Sequence, residues 1–102
     1  MWLAFQPQAG HEQSGHRPAL VLSPRTYNRR TGLFLACPIT SKSKGYPFEV
    51  AIPDGVPVSG VVLSDQIKSL DWKVRQASLA GRVSMDLVDE VVALIQPLIL
   101  GE

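Results

Sequence analysis

At 102 residues, 45% of them hydrophobic and 19% charged, the chain has the size and composition of one folded domain spanning 1–102, which excludes both a disordered segment and a multidomain assembly. A formal net charge of +1 excludes a strongly basic or acidic tail, and no apolar run approaches the ~20 residues of a membrane span. Cys37 is the only cysteine, so no intramolecular disulfide forms, and the expectation is a reducing, cytoplasmic setting.

Eight prolines and eight glycines predict many turns between short strands. Trp2 to Phe5 reads as a strand, short at its outer end, and the stretch from Met1 has no basic region and is too short for a signal peptide. Gln6 to Arg17 is a long polar loop containing Gly10 and Gly15. It delivers His16 and Arg17 to the mouth of an apolar strand, Ala19 to Ser23, with Pro18 biasing Arg17 away from helix. Pro24 ends that strand, Tyr27 to Gly32 reads as a turn, and Leu33 to Ile39 is the next strand. Pro38 within it predicts an edge or a strand end.

A second polar loop, Ser41 to Pro47, precedes Phe48 to Ile52, which alternates as a half-exposed strand. Pro53 to Pro57 is turn chemistry. Gly60 to Leu63 and Gln66 to Leu70 read as short strands flanking Ser64 and Asp65, and Trp72 to Gln76 with Arg82 and Val83 as another. Ser84 is placed to cap a helix whose first turn carries Asp86 and whose apolar face is Leu87, Val88, Val91, Leu94, Ile95 and Leu98. Pro97 should kink or end it, and Gly101 stops it. These elements predict a small, curled antiparallel sheet or barrel with one C-terminal helix.

Arg17, Arg25, Arg29, Arg30, Lys42 and Lys44 all precede Gly45, where Glu12 is the only acid; the other eight acids follow. This asymmetry predicts either one basic face suited to phosphates or a scattered, solvated surface. Metal binding is unsupported, since His11 and His16 are the only histidines and no cysteine lies near them. There is neither a G-x-S-x-G nor a G-x-x-x-x-G-K-[ST] sequence, which leaves cofactor-free chemistry or plain binding.

Within those limits Arg17 has the geometry to hold a phosphodiester by two parallel hydrogen bonds, or forms a surface ion pair. Thr40 and Ser41 offer hydroxyls to the same oxygens, or cap a turn; Lys42 and Lys44 contact a phosphate backbone, or solubilise a loop. Glu12 or His16 moves protons, or Glu12 pairs with Arg17. Asp65, with Gln66 beside it, is a site residue or a polar anchor; Tyr46, Phe48 and Trp72 stack on bases or fill a core. Cys37, inside an apolar run, reads as a buried, inert thiol.

Taken together, W-L-A-F-Q-P at Trp2 to Pro7, G-H-E-Q-S-G-H-R-P-A-L-V-L-S-P at Gly10 to Pro24, T-G-L from Thr31, P-I-T-S-K-S-K-G-Y-P-F-E-V at Pro38 to Val50 and D-Q-I-K-S-L-D-W at Asp65 to Trp72 resemble the MazF/PemK toxin family. The resemblance spans nearly the whole chain, in order. It implies a mainly β fold with a C-terminal helix, a small SH3-like β-barrel of the MazF/PemK/CcdB type. It further implies a cytoplasmic, metal- and cofactor-independent endoribonuclease that cuts single-stranded RNA such as mRNA, works as a homodimer and is neutralised by a cognate antitoxin. By motif, the family's catalytic arginine falls on Arg17 and its catalytic threonine on Thr40, with Glu12 and His16 in the same active-site loop and Asp65 at an acidic position implicated in some members. Ser41, Lys42, Lys44 and Gln66 complete the expected RNA-contacting set. The alternatives are a toxin of the same fold that binds a protein such as gyrase, as CcdB does, and a catalytically inactive relic that binds RNA or antitoxin.

Overall fold

The computed structural model describes residues 2–7, 16–74 and 77–101, with side-chain detail from Pro18 onward except at Ser78. Seven strands, all antiparallel, form one connected sheet: β1 (Trp2–Pro7), β2 (His16–Val21), β3 (Leu33–Thr40), β4 (Glu49–Ala51), β5 (Val61–Leu63), β6 (Lys68–Asp71) and β7 (Ser78–Arg82). The pairing order is β4-β5-β3-β2-β1-β7, with β6 also on β3; among the described residues no pairing of β4 with β7 closes the path. A short helix α1 (Arg25–Thr31) and a long one, α2 (Met85–Leu100), complete the chain.

β2 and β3 lie at the centre of the molecule and carry buried residues on both faces. On one face Leu20, Cys37 and Ile39 pack with Val50, Val62 and Val83 against Leu87, Val88, Val91 and Ile95 of α2. On the other, Ala19, Val21, Phe34 and Ala36 form a second cluster with Leu70, Trp72 and Ala77. Strands buried on both sides read as continuous apolar runs rather than alternating ones, which is how Ala19 to Val21 and Leu33 to Ile39 stand in the sequence. Burying one such leucine or valine side chain stabilises the fold by ~1.5–3 kcal/mol, so this double layer carries much of the stability.

Pro38 lies in this central strand, not at an edge or strand end as its identity predicts. Leu22 N–H donates to Leu35 O at 2.8 Å, so the odd-numbered residues of β3 turn their backbone polar groups toward β2. Pro38, an even position, therefore turns its nitrogen the other way. There β6 pairs only as far as Ala36 and β5 begins at Ile39, so the missing N–H falls in the gap between two partners.

The segment read as a turn at Tyr27 to Gly32 is the helix α1. Pro24 in extended backbone leads into it, Asn28 N–H donates to Pro24 O, and Gly32 at φ 75° closes it by donating to Asn28 O. Ser23 Oγ donates to Asn28 Oδ1 (2.5 Å) and Trp72 Nε1 donates to Asn28 O (3.0 Å), which pins the helix to the sheet although none of its residues is buried.

Other boundaries shift. His16 and Arg17 belong to β2, not to a loop, and Ser64–Gln66 is a 3₁₀ turn preceding β6, so Gln66 does not begin a strand. Trp72 to Val74 is a turn, and the last strand is Ser78–Arg82. Ser84 does occupy the N-cap position of α2, but its side chain makes no capping bond. Pro97 does not end α2. Its missing N–H would pair with the carbonyl of exposed Ala93, where water serves, and its own carbonyl accepts from Gly101 N–H at 3.0 Å. Among the described residues no helix is long and apolar enough to cross a membrane.

Candidate active site

The site is built where β2 begins and β3 ends. The register pairs Ala19 with Pro38, Leu20 with Cys37 and Val21 with Ala36. Antiparallel strands so aligned bring His16 and Arg17 of β2 to the same end of the sheet as Thr40 of β3. The side chains of residues 16 and 17 lie outside what is described, and Glu12 lies outside the described residues altogether.

Around Thr40 the surface sinks into two adjoining clefts that share Thr40, Leu63 and Gln66. One, of about 500 Å³, is walled by Pro18, Pro38, Ile39, Ser41 and Ser59; Pro18 is the residue next to Arg17. The other, of about 420 Å³, is walled by Lys42, Lys44, Tyr46 and Glu49. Thr40 Oγ1 accepts the N–H of Lys42 at 3.2 Å, which leaves its own proton available as a donor.

Thr40 is held from behind by Gly60, at φ 122°. A Cβ at that position would lie 2.2 Å from Thr40 O and 3.1 Å from Ser41 Cα. Gly60 thus lies flat against the Thr40–Ser41 peptide, immediately before β5, where Val61 pairs with Thr40. The reading from sequence gave Gly60 no such role, because the contact joins segments twenty positions apart.

The loop from Ser41 to Pro47 wraps one carboxylate. Ser43 Oγ donates to Glu49 Oε1 at 2.7 Å and Lys44 N–H to Oε2 at 3.0 Å. The Lys44 N–H, then the Ser43 hydroxyl, and further the N–H groups of Gly45 and Tyr46 hold the Glu49 carboxyl below its ordinary pKa. Gly45 at φ 72° supplies the left-handed turn that aims successive N–H groups inward. Glu49 therefore fixes the backbone of Ser43 and Lys44, while Lys42 is held by Thr40. The only trace of this in the sequence is an acid directly after a loop rich in donors.

In the same cleft, Tyr46 OH donates to Asp65 Oδ2 at 3.1 Å, and that bond raises the Tyr46 pKa. Asp65 Oδ1 and Ser64 Oγ are buried without a partner. Asp65 thus anchors the loop through Tyr46, and Gln66, exposed, lines both clefts. Cys37 lies beneath, fully buried, its Sγ 3.7 Å from Ser64 O; burial, and secondarily the Asp65 charge, push its thiol up to about 12. It is an inert core residue.

Arg25, Arg29 and Arg30 do not join the site: they stand on α1, at the Leu33 end of β3, about 23 Å along the strand from Thr40. Among the described side chains, the cations that precede Gly45 therefore divide between two ends of the sheet. Trp72, tied to Asn28 and stacked under Lys73 Nζ at 5.6 Å, also lies away from the clefts, which leaves Tyr46 as the aromatic ring that lines them among the described residues. No group of three His, Cys, Asp or Glu side chains is placed to hold a metal ion among the described residues.

A profile of the PemK-like, MazF-like toxins of type II toxin–antitoxin systems matches residues 1–99. The endoribonuclease toxin MazF of Escherichia coli K12 is 48% identical over 99 residues, 97% of this chain and 88% of that protein. Endoribonuclease PemK of Escherichia coli is 34% identical over 104 residues, 97% of this chain and 78% of that protein. Among solved structures, a MazE–MazF crystal structure from Deinococcus radiodurans superposes with a TM-score of 0.90 at 49% identity, covering 99% of this chain and 94% of that one. The chain belongs to the PemK-like, MazF-like toxin family.

Proposed function

We propose that this protein is the toxin of a toxin–antitoxin pair, an endoribonuclease that cuts single-stranded RNA, acts in the cytoplasm as a homodimer, and is neutralised by a cognate antitoxin. The relatives named above are endoribonucleases, and the Deinococcus toxin is seen with MazE. In the same reading the chain is a single domain whose curled sheet belongs to the SH3-like barrel type. The observation that supports the proposal is the pairing of β2 with β3 at Ala19↔Pro38, Leu20↔Cys37 and Val21↔Ala36: the same register, continued two residues along both strands, carries the backbone of Arg17 toward that of Thr40, which lines both clefts.

The chemistry is the one the family resemblance implies, and it is physically coherent with these residue types. The 2′-hydroxyl of the RNA attacks the adjacent phosphorus, its proton passing to a base; the P–O5′ bond breaks and the departing oxygen takes a proton. The products are a 2′,3′-cyclic phosphate and a 5′-hydroxyl. Because substrate supplies the nucleophile, the reading needs neither metal nor cofactor. Arg17, as a cation, stabilises the anionic phosphorane, Thr40 donates to a phosphoryl oxygen, and Glu12 or His16 serves as base or acid. Ser41, Lys42, Lys44 and Gln66, which line the clefts, and Asp65, bonded to Tyr46, are the RNA-contacting set, the lysines as phosphate contacts whose effect weakens with salt.

The test is cleavage of a long single-stranded RNA in the presence of chelator, with both new ends mapped. Cyclic phosphate and 5′-hydroxyl termini, lost in Arg17→Ala, are expected. Cleavage indifferent to Arg17→Ala, or inhibition of gyrase supercoiling with intact RNA, would overturn the proposal.

A further inference from the structure

The 420 Å³ cleft beside Thr40 has a composition that phosphate binding alone does not require. Two lysines answer the backbone charge, yet the same wall carries Tyr46, 47% exposed, in a loop where polar residues would be the ordinary choice. An exposed tyrosine is common. A tyrosine held in one orientation at the wall of a cleft is not, because side-chain freedom at the surface is normally retained.

Two contacts hold this ring. Its hydroxyl donates to Asp65 Oδ2, and its centroid lies 5.8 Å from that of Phe48, with the planes tilted by 53°. Asp65 is itself fixed at the 3₁₀ turn after β5, and the backbone under Tyr46 is fixed by the bonds of Ser43 and Lys44 to Glu49. The ring is therefore oriented before any ligand arrives, which lowers the ordering cost of binding. A flat, pre-oriented aromatic surface flanked by two cations and an amide, Gln66, is the arrangement that takes a nucleobase together with its phosphates.

Resting on the RNA-cleavage reading, we propose that the Tyr46 ring is a stacking platform for one nucleobase of the RNA next to the scissile phosphodiester. The platform binds by the π-face, so it sets the position of the strand, and discrimination among bases falls to the groups at the edges, Gln66 foremost.

The experiment uses a short RNA spanning the mapped cleavage position, made uncleavable by a 2′-deoxy sugar at the nucleophilic residue and carrying 2-aminopurine on one or the other side of it. Stacking quenches 2-aminopurine fluorescence. Wild-type protein is expected to quench it at one of the two positions. Tyr46→Leu should abolish the quenching and weaken binding about five- to 150-fold, the range that loss of one base–aromatic stack produces. Tyr46→Phe, which keeps the ring but not the hydroxyl, should keep the quenching and lose no more than about fivefold, the worth of one hydrogen bond. A melting temperature of Tyr46→Leu within a few degrees of wild type shows that the fold is intact. If Tyr46→Leu binds and quenches as wild type does while RNA is still cut, the platform is overturned and the nuclease reading stands. If wild-type protein neither cuts nor binds RNA, both fall. If Tyr46→Leu impairs only capture by the antitoxin, the ring belongs to a protein interface and the platform is overturned.

Discussion

Gly60→Ala is the substitution for which the structure gives the sharpest expectation. The added methyl carbon would lie 2.2 Å from Thr40 O and 2.9 Å from its carbonyl carbon, where such contacts are essentially never under 3.0 Å. The atoms it meets are backbone, so no side chain can swing aside, and the peptide between Thr40 and Ser41 must retreat by about 0.8 Å. A misplacement near 1 Å costs an enzyme about 10²-fold in rate. Two terms add on the stability side. Alanine at φ 122° is strained by about 1–3 kcal/mol, and overpacking at the contact costs a further 1–3 kcal/mol. Gly55→Ala is the control: φ is 92°, but nothing lies within 4 Å, so it carries the conformational strain without the collision. Urea unfolding of both variants, with cleavage rates of folded protein measured in parallel, separates the terms. Gly55→Ala should lose about 1–3 kcal/mol and cleave normally, whereas Gly60→Ala should lose more and cleave about a hundredfold slower. Equal stability and equal cleavage in the two would refute the close approach of Gly60 to Thr40.

Two further outcomes are expected. Thr40→Val keeps the side-chain shape and removes the hydroxyl; since its partner, the Lys42 N–H, is exposed and has water to turn to, melting should barely change while single-turnover cleavage falls roughly 10²–10³-fold, the loss that follows removal of one transition-state donor. Glu49 is held below its ordinary pKa of 4.5, first by the Lys44 N–H, so its contribution is fully present above that value and vanishes as pH falls through the lowered one. Glu49→Gln should therefore be less stable than wild type near pH 7 and approach it as the pH falls below 4.5 and through the lowered value; urea midpoints that differ equally at pH 3 and pH 7 would contradict this.

What the sequence revealed was mostly what depends on neighbours in the chain. The helix face Leu87, Val88, Val91 and Ile95 is buried as its spacing predicts, although Leu98, assigned to the same stripe, is 55% exposed. The central strands were legible because burial on both faces leaves no polar alternation to confuse. The helix α1 was hidden by its polar composition: nothing in Arg25–Thr31 is buried, and its stability comes from Ser23 and Trp72, one before it and one more than forty residues beyond. Pro38 misled because the rule for proline concerns a missing donor, and the gap that excuses it is made by two separate strands. Thr40, Lys42 and Lys44 were recognisable by type and order, and the structure gathers them at one cleft. Glu49 and Gly60 were not, since a carboxylate among donors and a glycine against a peptide acquire meaning only once the chain has brought them there.

Cys37 has a practical consequence. It is the sole thiol of the chain, wholly enclosed, and held protonated up to about pH 12. A thiol-specific reagent in the surrounding solution therefore finds no target until the sheet comes apart. The rate at which the protein takes up one such label under native conditions counts its excursions to the unfolded ensemble, so the molecule carries its own clock for how often its core opens.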